Sequence, residues 1–179
     1  MPALIYHPTF AEQLATAKWF DAKDLPIEAS EAYEVLITTG EADIVDIYVD
    51  LAVLYFVCTD YGYSTYHALP RRFIEKSWKR AHEVLNEATI VFGNEPEFLF
   101  WHKYFDFVVL GDSPFDDECQ QWVARSNTLV PYFYLFSVVD TDKYKEQATK
   151  LFELVKYGHT AKERYIKSIL EPRLKVKRT

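Results

Sequence analysis

The stretch DIVDIYVDLAVLYFV, residues 43–57, carries three aspartates on an otherwise apolar run. Its valines and isoleucines suit a strand as well as a helix, so this segment decides the fold class. The placing of its charges favours the helix. Asp43, Asp46 and Asp50 stand at i, i+3 and i+7, one narrow stripe along one side of a helical rod. A helix apolar on nearly every other side is a central one. The stripe is then expected to be the edge that stays wet. The alternatives are an ion pair with Lys103 or an arginine, or a buried polar site.

Outward from that segment, apolar residues recur at steps of three and four, and sustained strict alternation is absent. Thr9 and Glu12 have the spacing of a capping box, which opens a helix over about Thr9–Phe20. Pro26 stands early in the next segment, where its missing N–H costs nothing, and Gly40 closes it. Gly93, Gly111 and Gly158 end later segments, each followed by capping and acidic residues suited to the next helix. The run 69–93 places Phe73, Ile74, Trp78, Ala81, Leu85 and Ala88 on one face, with His82 at its edge. The run 141–158 does likewise with Tyr144, Ala148, Leu151, Phe152 and Val155, and Glu146 faces Lys150. Ser113 and Pro114 are expected to start a helix that Pro131 breaks or bends. Thr160 and Glu163 cap a last helix, which Pro172 helps to close. Short glycine turns force antiparallel neighbours, and the glycine spacing does not repeat. The expectation is all-α: an irregular multi-helix bundle, or a short α-solenoid, of about eight antiparallel helices. One domain over 1–179 suffices, with 173–179 a basic tail.

Composition narrows the classes further. With 49% apolar and 17% aromatic residues, the chain lies far from disorder-prone compositions. No basic amino-terminal region precedes an apolar core, and apolar runs are too short to span a bilayer, so a soluble cytoplasmic protein is expected. Cys58 and Cys119 stand among apolar neighbours, without CxxC or paired Cys/His spacing, which argues against structural zinc. Net charge is −7, unevenly spread: −9 over residues 1–60, −4 over 61–120 and +6 over 121–179. The acidic amino-terminal part disfavours nucleic acid and no cofactor is implied. It suits another protein with a basic surface, and the opposed ends allow self-association.

Two places are candidates for chemistry. The segment FLFWHKYFDFVVL, residues 98–110, resembles the opening stretch in being apolar with a thin polar line, His102 and Asp106 one turn apart. If the two helices faced each other through those lines, Asp46, Asp50, His102 and Asp106 would form a hard-donor set for a divalent metal, in an enzyme or a metal binder. No Glu-x-x-His, HExxH or GxSxG pattern accompanies them. The second place is the interval 58–72, read as a loop, where Tyr61, Tyr63, Tyr66 and His67 cluster around Gly62. Tyrosines on a loop are expected either to make a partner-binding patch or to fold back over the end of the bundle, and Glu28, Glu31 and Glu34 in the acidic amino-terminal half are further partner-contact candidates. The favoured function is a protein-interaction module, one version being a bacterial immunity or antitoxin-like inhibitor whose carboxylates cover a basic toxin surface.

Overall fold

A computed structural model describes residues 8–39 and 44–175. Gly40 and Asp43, the first residue of the expected stripe, lie outside them, as does the end of the tail, 176–179. The described residues form ten α-helices and no strand: α1 (Phe10–Ala22), α2 (Pro26–Thr38), α3 (Val45–Val57), α4 (Tyr61–Tyr66), α5 (Arg71–Phe92), α6 (Pro96–Leu110), α7 (Asp116–Arg125), α8 (Pro131–Tyr134), α9 (Lys145–Val155) and α10 (Ala161–Lys175). A π-helical turn, Leu135–Val139, continues α8.

The deciding stretch is helical, and it is the axle of the molecule. Every residue from Ile47 to Phe56 is buried, and α3 packs against α2, α5, α6 and α10. Each large side chain so buried stabilises the fold by about 1.5–3 kcal/mol relative to exposure. Aromatic rings fill the space between α3 and α6. Phe56 stacks on Phe105 at 4.3 Å, and Trp101, Tyr104 and Phe133 close around them. The two central helices therefore meet through rings rather than through their polar lines.

Local chemistry sets the ends of the helices. Thr9 and Glu12 close their capping box, and Glu163 accepts from the N–H groups of His159 and Thr160 while Thr160 accepts from Glu163 N–H. Gly93 and Gly111 have φ of +81° and +71°, which only glycine adopts without strain. Gly158 is needed for a different reason: a Cβ there would meet Glu163 side-chain atoms at 2.2–2.6 Å.

Four expectations are corrected. The interval 58–72 holds a helix, α4, whose Asp60 caps it by accepting from Tyr63 N–H at 2.8 Å. The segment after Gly111 starts at Asp116, two residues beyond Pro114, because Phe115 N–H donates to Tyr134 Oη on α8 and Phe115 stacks on that ring. Pro131 does break the chain, standing first in α8. Pro172 lies inside α10 instead of closing it, and Arg173–Lys175, expected as tail, are its last turn. With α4 and the split at Pro131, the count rises from about eight to ten.

Candidate functional site

The head of α10, a helix packed on α3, α8 and α9, brings two cations, Lys162 and Arg164, to carboxylates far away in the chain. Arg164 donates to Asp21 Oδ1 at 3.2 Å, Asp24 Oδ1 at 2.9 Å and the Asp21 carbonyl at 2.7 Å, and also to the His159 carbonyl. Asp21 is fully buried and accepts further bonds from Ala161 N–H at 2.9 Å and Tyr33 Oη at 3.2 Å. Burial raises the Asp21 carboxyl, and Arg164, the Ala161 N–H and the Tyr33 hydroxyl work against that rise.

Asp24 links this cluster to α4. It stands at φ +56° just past α1, where Asp24 N–H donates to the Asp21 carbonyl and Leu25 N–H to the Phe20 carbonyl, the two bonds of a Schellman motif. From there its carboxylate accepts from Tyr63 Oη at 2.7 Å and lies 3.0 Å from His67 Nε2. Tyr63 and His67 are thus fixed from beneath, whereas Tyr61 and Tyr66 on the same short helix are 84% and 83% exposed. Beside Tyr61 runs a groove of about 580 Å³, lined by Phe56, Trp78, Tyr165 and Tyr61, with Val108 and Val109 and with Asp60 as its carboxylate; Tyr66 does not line it.

Lys162 organises the second cluster. Its Nζ lies 3.1 Å from Asp46, 3.4 Å from Glu97 and 4.0 Å from Asp50. Burial opposes its charge, but Glu97, Asp50 and Asp46 outweigh burial and hold the ammonium above the ordinary lysine range. Asp50 is the residue that departs most from expectation. Of the two described aspartates of the stripe, Asp46 keeps the wet edge; Asp50 is 3% exposed, with its charge partner on α10 rather than Lys103, which instead faces Glu118 at 3.6 Å. Burial pushes the Asp50 carboxyl up to about 7, Lys162 and a Thr160 hydrogen bond pull it down, and Asp21 and Asp46 add to the rise. Both aspartates line a cavity of about 500 Å³ between α1, α3 and the head of α10.

The hard-donor set does not assemble. His102 and Asp106 line a separate hollow on α6, where His102 Nδ1 stands 3.3 Å from His82 Nδ1 and Asp106 lies 3.5 Å from His82 Nε2. Burial lowers His102, His82 adds to that, and Asp106 opposes it. Among the described residues no group of three or more His, Cys, Asp or Glu side chains is arranged to hold a metal ion. Of the three acidic candidates, Glu28 and Glu31 are exposed. Glu34 is committed inside the molecule: it takes two bonds from Arg80 at 2.7 and 2.8 Å and one from Tyr55 Oη at 2.8 Å, which together hold it below the usual carboxylate range against burial. Arg80 also reaches Glu87, so this cluster ties α2, α3 and α5 together.

Sequence reasoning missed Asp21, Asp24, Lys162, Arg164 and Glu97. Asp60, three residues before Tyr63, was the available sign of α4, a side-chain cap ahead of a helical turn. Neither thiol is paired, and both cysteines are buried. None of the described helices is long and apolar enough to cross a membrane. Set against protein-family models, curated proteins and solved structures, the chain matches none of them.

Proposed function

We propose that the protein is a protein-binding module whose contact surface is formed by the exposed tyrosines at the two ends of α4, Tyr61 and Tyr66, with the groove that Tyr61 adjoins. The observation that carries this reading is the exposure of Tyr61 and Tyr66 on a helix that the Tyr63 hydroxyl pins to Asp24, with His67 packed against the same carboxylate. Tyrosines presented in this way bring large contact area and a hydroxyl, and a pinned backbone leaves little freedom to lose on binding. The groove suits an apolar anchor, and Asp60 on its wall suits a basic residue beside that anchor. Glu28, in the first turn of the helix that follows Asp24, and Glu31 extend the acidic character of this part of the chain and would steer a basic partner. In the inhibitor version of this proposal, these carboxylates cover the working surface of a basic toxin. A cytoplasmic site of action belongs to the same proposal, supported by the two unpaired, buried cysteines.

The test uses the full chain as bait, with Tyr61→Ser plus Tyr66→Ser as the comparison. The wild type retains a partner at low salt that the double variant loses. With that partner purified, its binding weakens by about thirtyfold or more, the scale of an interface hot spot. Equal capture and equal affinity for both baits contradict the proposal.

A further inference from the structure

The cavity between α1, α3 and the head of α10 contains a group for which protein binding at α4 gives no role. Asp50 stands on its wall with 4% of its side-chain surface exposed; a Thr160 side-chain hydrogen bond reaches its carboxylate, but Oδ1 is left without a donor within hydrogen-bond distance. A buried carboxylate oxygen without a donor is costly, and the cost persists only where something offsets it. The cation nearest to it does not suffice. Lys162 is 4.0 Å from that oxygen and closer to Asp46 and Glu97, so one ammonium serves three carboxylates. Other charges nearby are committed or turned outward. Arg164 is held by Asp21 and Asp24, Glu163 by the N–H groups of His159 and Thr160, and Lys18, which lines the cavity from α1, keeps its side chain exposed at the mouth.

Neither lysine on the cavity wall, Lys162 or Lys18, donates to Asp50 Oδ1, so the position beside that oxygen suits a positive hydrogen-bond donor. The cavity volume of about 500 Å³ falls in the range of small-molecule sites. Opposite the carboxylates, α1 contributes Trp19, 53% exposed, flanked by Ala15 and Ala22. That wall offers an aromatic face and apolar surface to a short carbon chain. A metal ion fits less well, because the Lys162 ammonium already stands among the carboxylate oxygens that would have to ligate it.

We propose that this cavity binds a primary alkylammonium group, which donates to Asp50 Oδ1 while its carbon chain lies against Trp19 and Ala15. The ligand requires an ionised Asp50. The groups that face it are Asp21 and Lys18 from α1, Tyr33 from α2, Asp46 from α3, Glu97 from α6, and His159, Lys162, Glu163 and Arg164 from the head of α10. Since burial holds the carboxyl near 7, binding releases a proton at lower pH and strengthens as pH rises toward that value.

Calorimetric titration of the full chain with n-butylamine, diaminobutane, n-butanol and Nα-acetyl-lysine methylamide tests this. Both small amines bind at millimolar concentration and n-butanol, of the same length but uncharged, does not. Asp50→Asn, which keeps the side-chain shape, weakens amine binding by about tenfold to a hundredfold, the range of a hydrogen bond to a charged group. Trp19→Ala, at an exposed position, weakens it less. If the lysine amide binds as tightly as butylamine, the ligand's source is a lysine side chain of another protein; if it is excluded while the small amines bind, the source is a free amine. Absence of amine-specific binding by the wild type, or equal binding by Asp50→Asn, overturns the proposal. Neither result bears on the α4 surface, which Tyr61→Ser and Tyr66→Ser probe separately.

Discussion

Two buried aspartates, Asp21 on α1 and Asp50 on α3, illustrate how differently the same side chain fares under burial. Asp21 receives three kinds of donor, from Arg164, Ala161 and Tyr33, whereas Asp50 Oδ1 receives none. Removing the guanidinium therefore strands a buried charge: Arg164→Gln is expected to cost about 3 kcal/mol, read from denaturant unfolding at neutral pH. Asp50 behaves in the opposite sense. Its carboxyl sits near 7 in the folded protein and near the ordinary value of about 4 when unfolded, so between those values the native state holds more protons. Stability attributable to this group falls as pH rises through that window and is level above it. Asp50→Asn removes the loss. The variant is expected to exceed the wild type by at least about 1 kcal/mol at pH 8 and to lose that advantage near pH 4. A variant less stable than the wild type at pH 8 would contradict the burial described. A more stable variant that no longer binds amines is the pattern of a group kept for function at a cost in stability.

At the scale of the elements, α3 was legible because its aspartates mark helical spacing, yet the meaning of the stripe was not. Whether Asp50 faces water depends on Lys162, 112 residues later in the chain and indistinguishable in sequence from the other lysines of an amphipathic helix. The capping boxes at Thr9 and Thr160 were legible because each is complete within four residues. The α4 helix was not, since six residues carry too little periodicity to outweigh a glycine and a cluster of tyrosines. Its end makes a prediction. Ala68 follows α4 at φ +49°, with Ala68 N–H on the Thr65 carbonyl and Leu69 N–H on the Ser64 carbonyl, the same Schellman pattern that Asp24 forms after α1. Asp24 is retained there by its three side-chain contacts, while alanine carries the strain of left-handed backbone with no side-chain bond in return. Ala68→Gly is expected to stabilise the protein by about 0.5–1 kcal/mol in thermal unfolding. In the core, Leu51→Ala on α3 is expected to cost about 2–5 kcal/mol, because the fully buried position leaves a cavity.

For the molecule as a whole, the lopsided charge seen in sequence is partly consumed within the fold. Asp21, Asp24, Asp46 and Asp50 face Arg164 and Lys162, so the acidic amino-terminal part and the basic carboxy-terminal part hold each other, while Glu34 pairs with Arg80 and Glu97 with Lys162 from the middle of the chain. Glu28 and Glu31 remain outside these pairs and exposed, free to meet a partner. All three glutamates look alike in sequence, and only the position of Arg80 separates Glu34 from the others. The all-helical body, the recruitment of α10 to the centre and the proposed amine site share one premise, that α3 runs through the core with Asp50 enclosed and one oxygen without a donor. An NMR pH titration of the Asp50 side-chain carboxyl carbon measures that premise directly. A midpoint near 7 is predicted; a midpoint at or below the ordinary value of about 4 would place Asp50 in water and contradict the account.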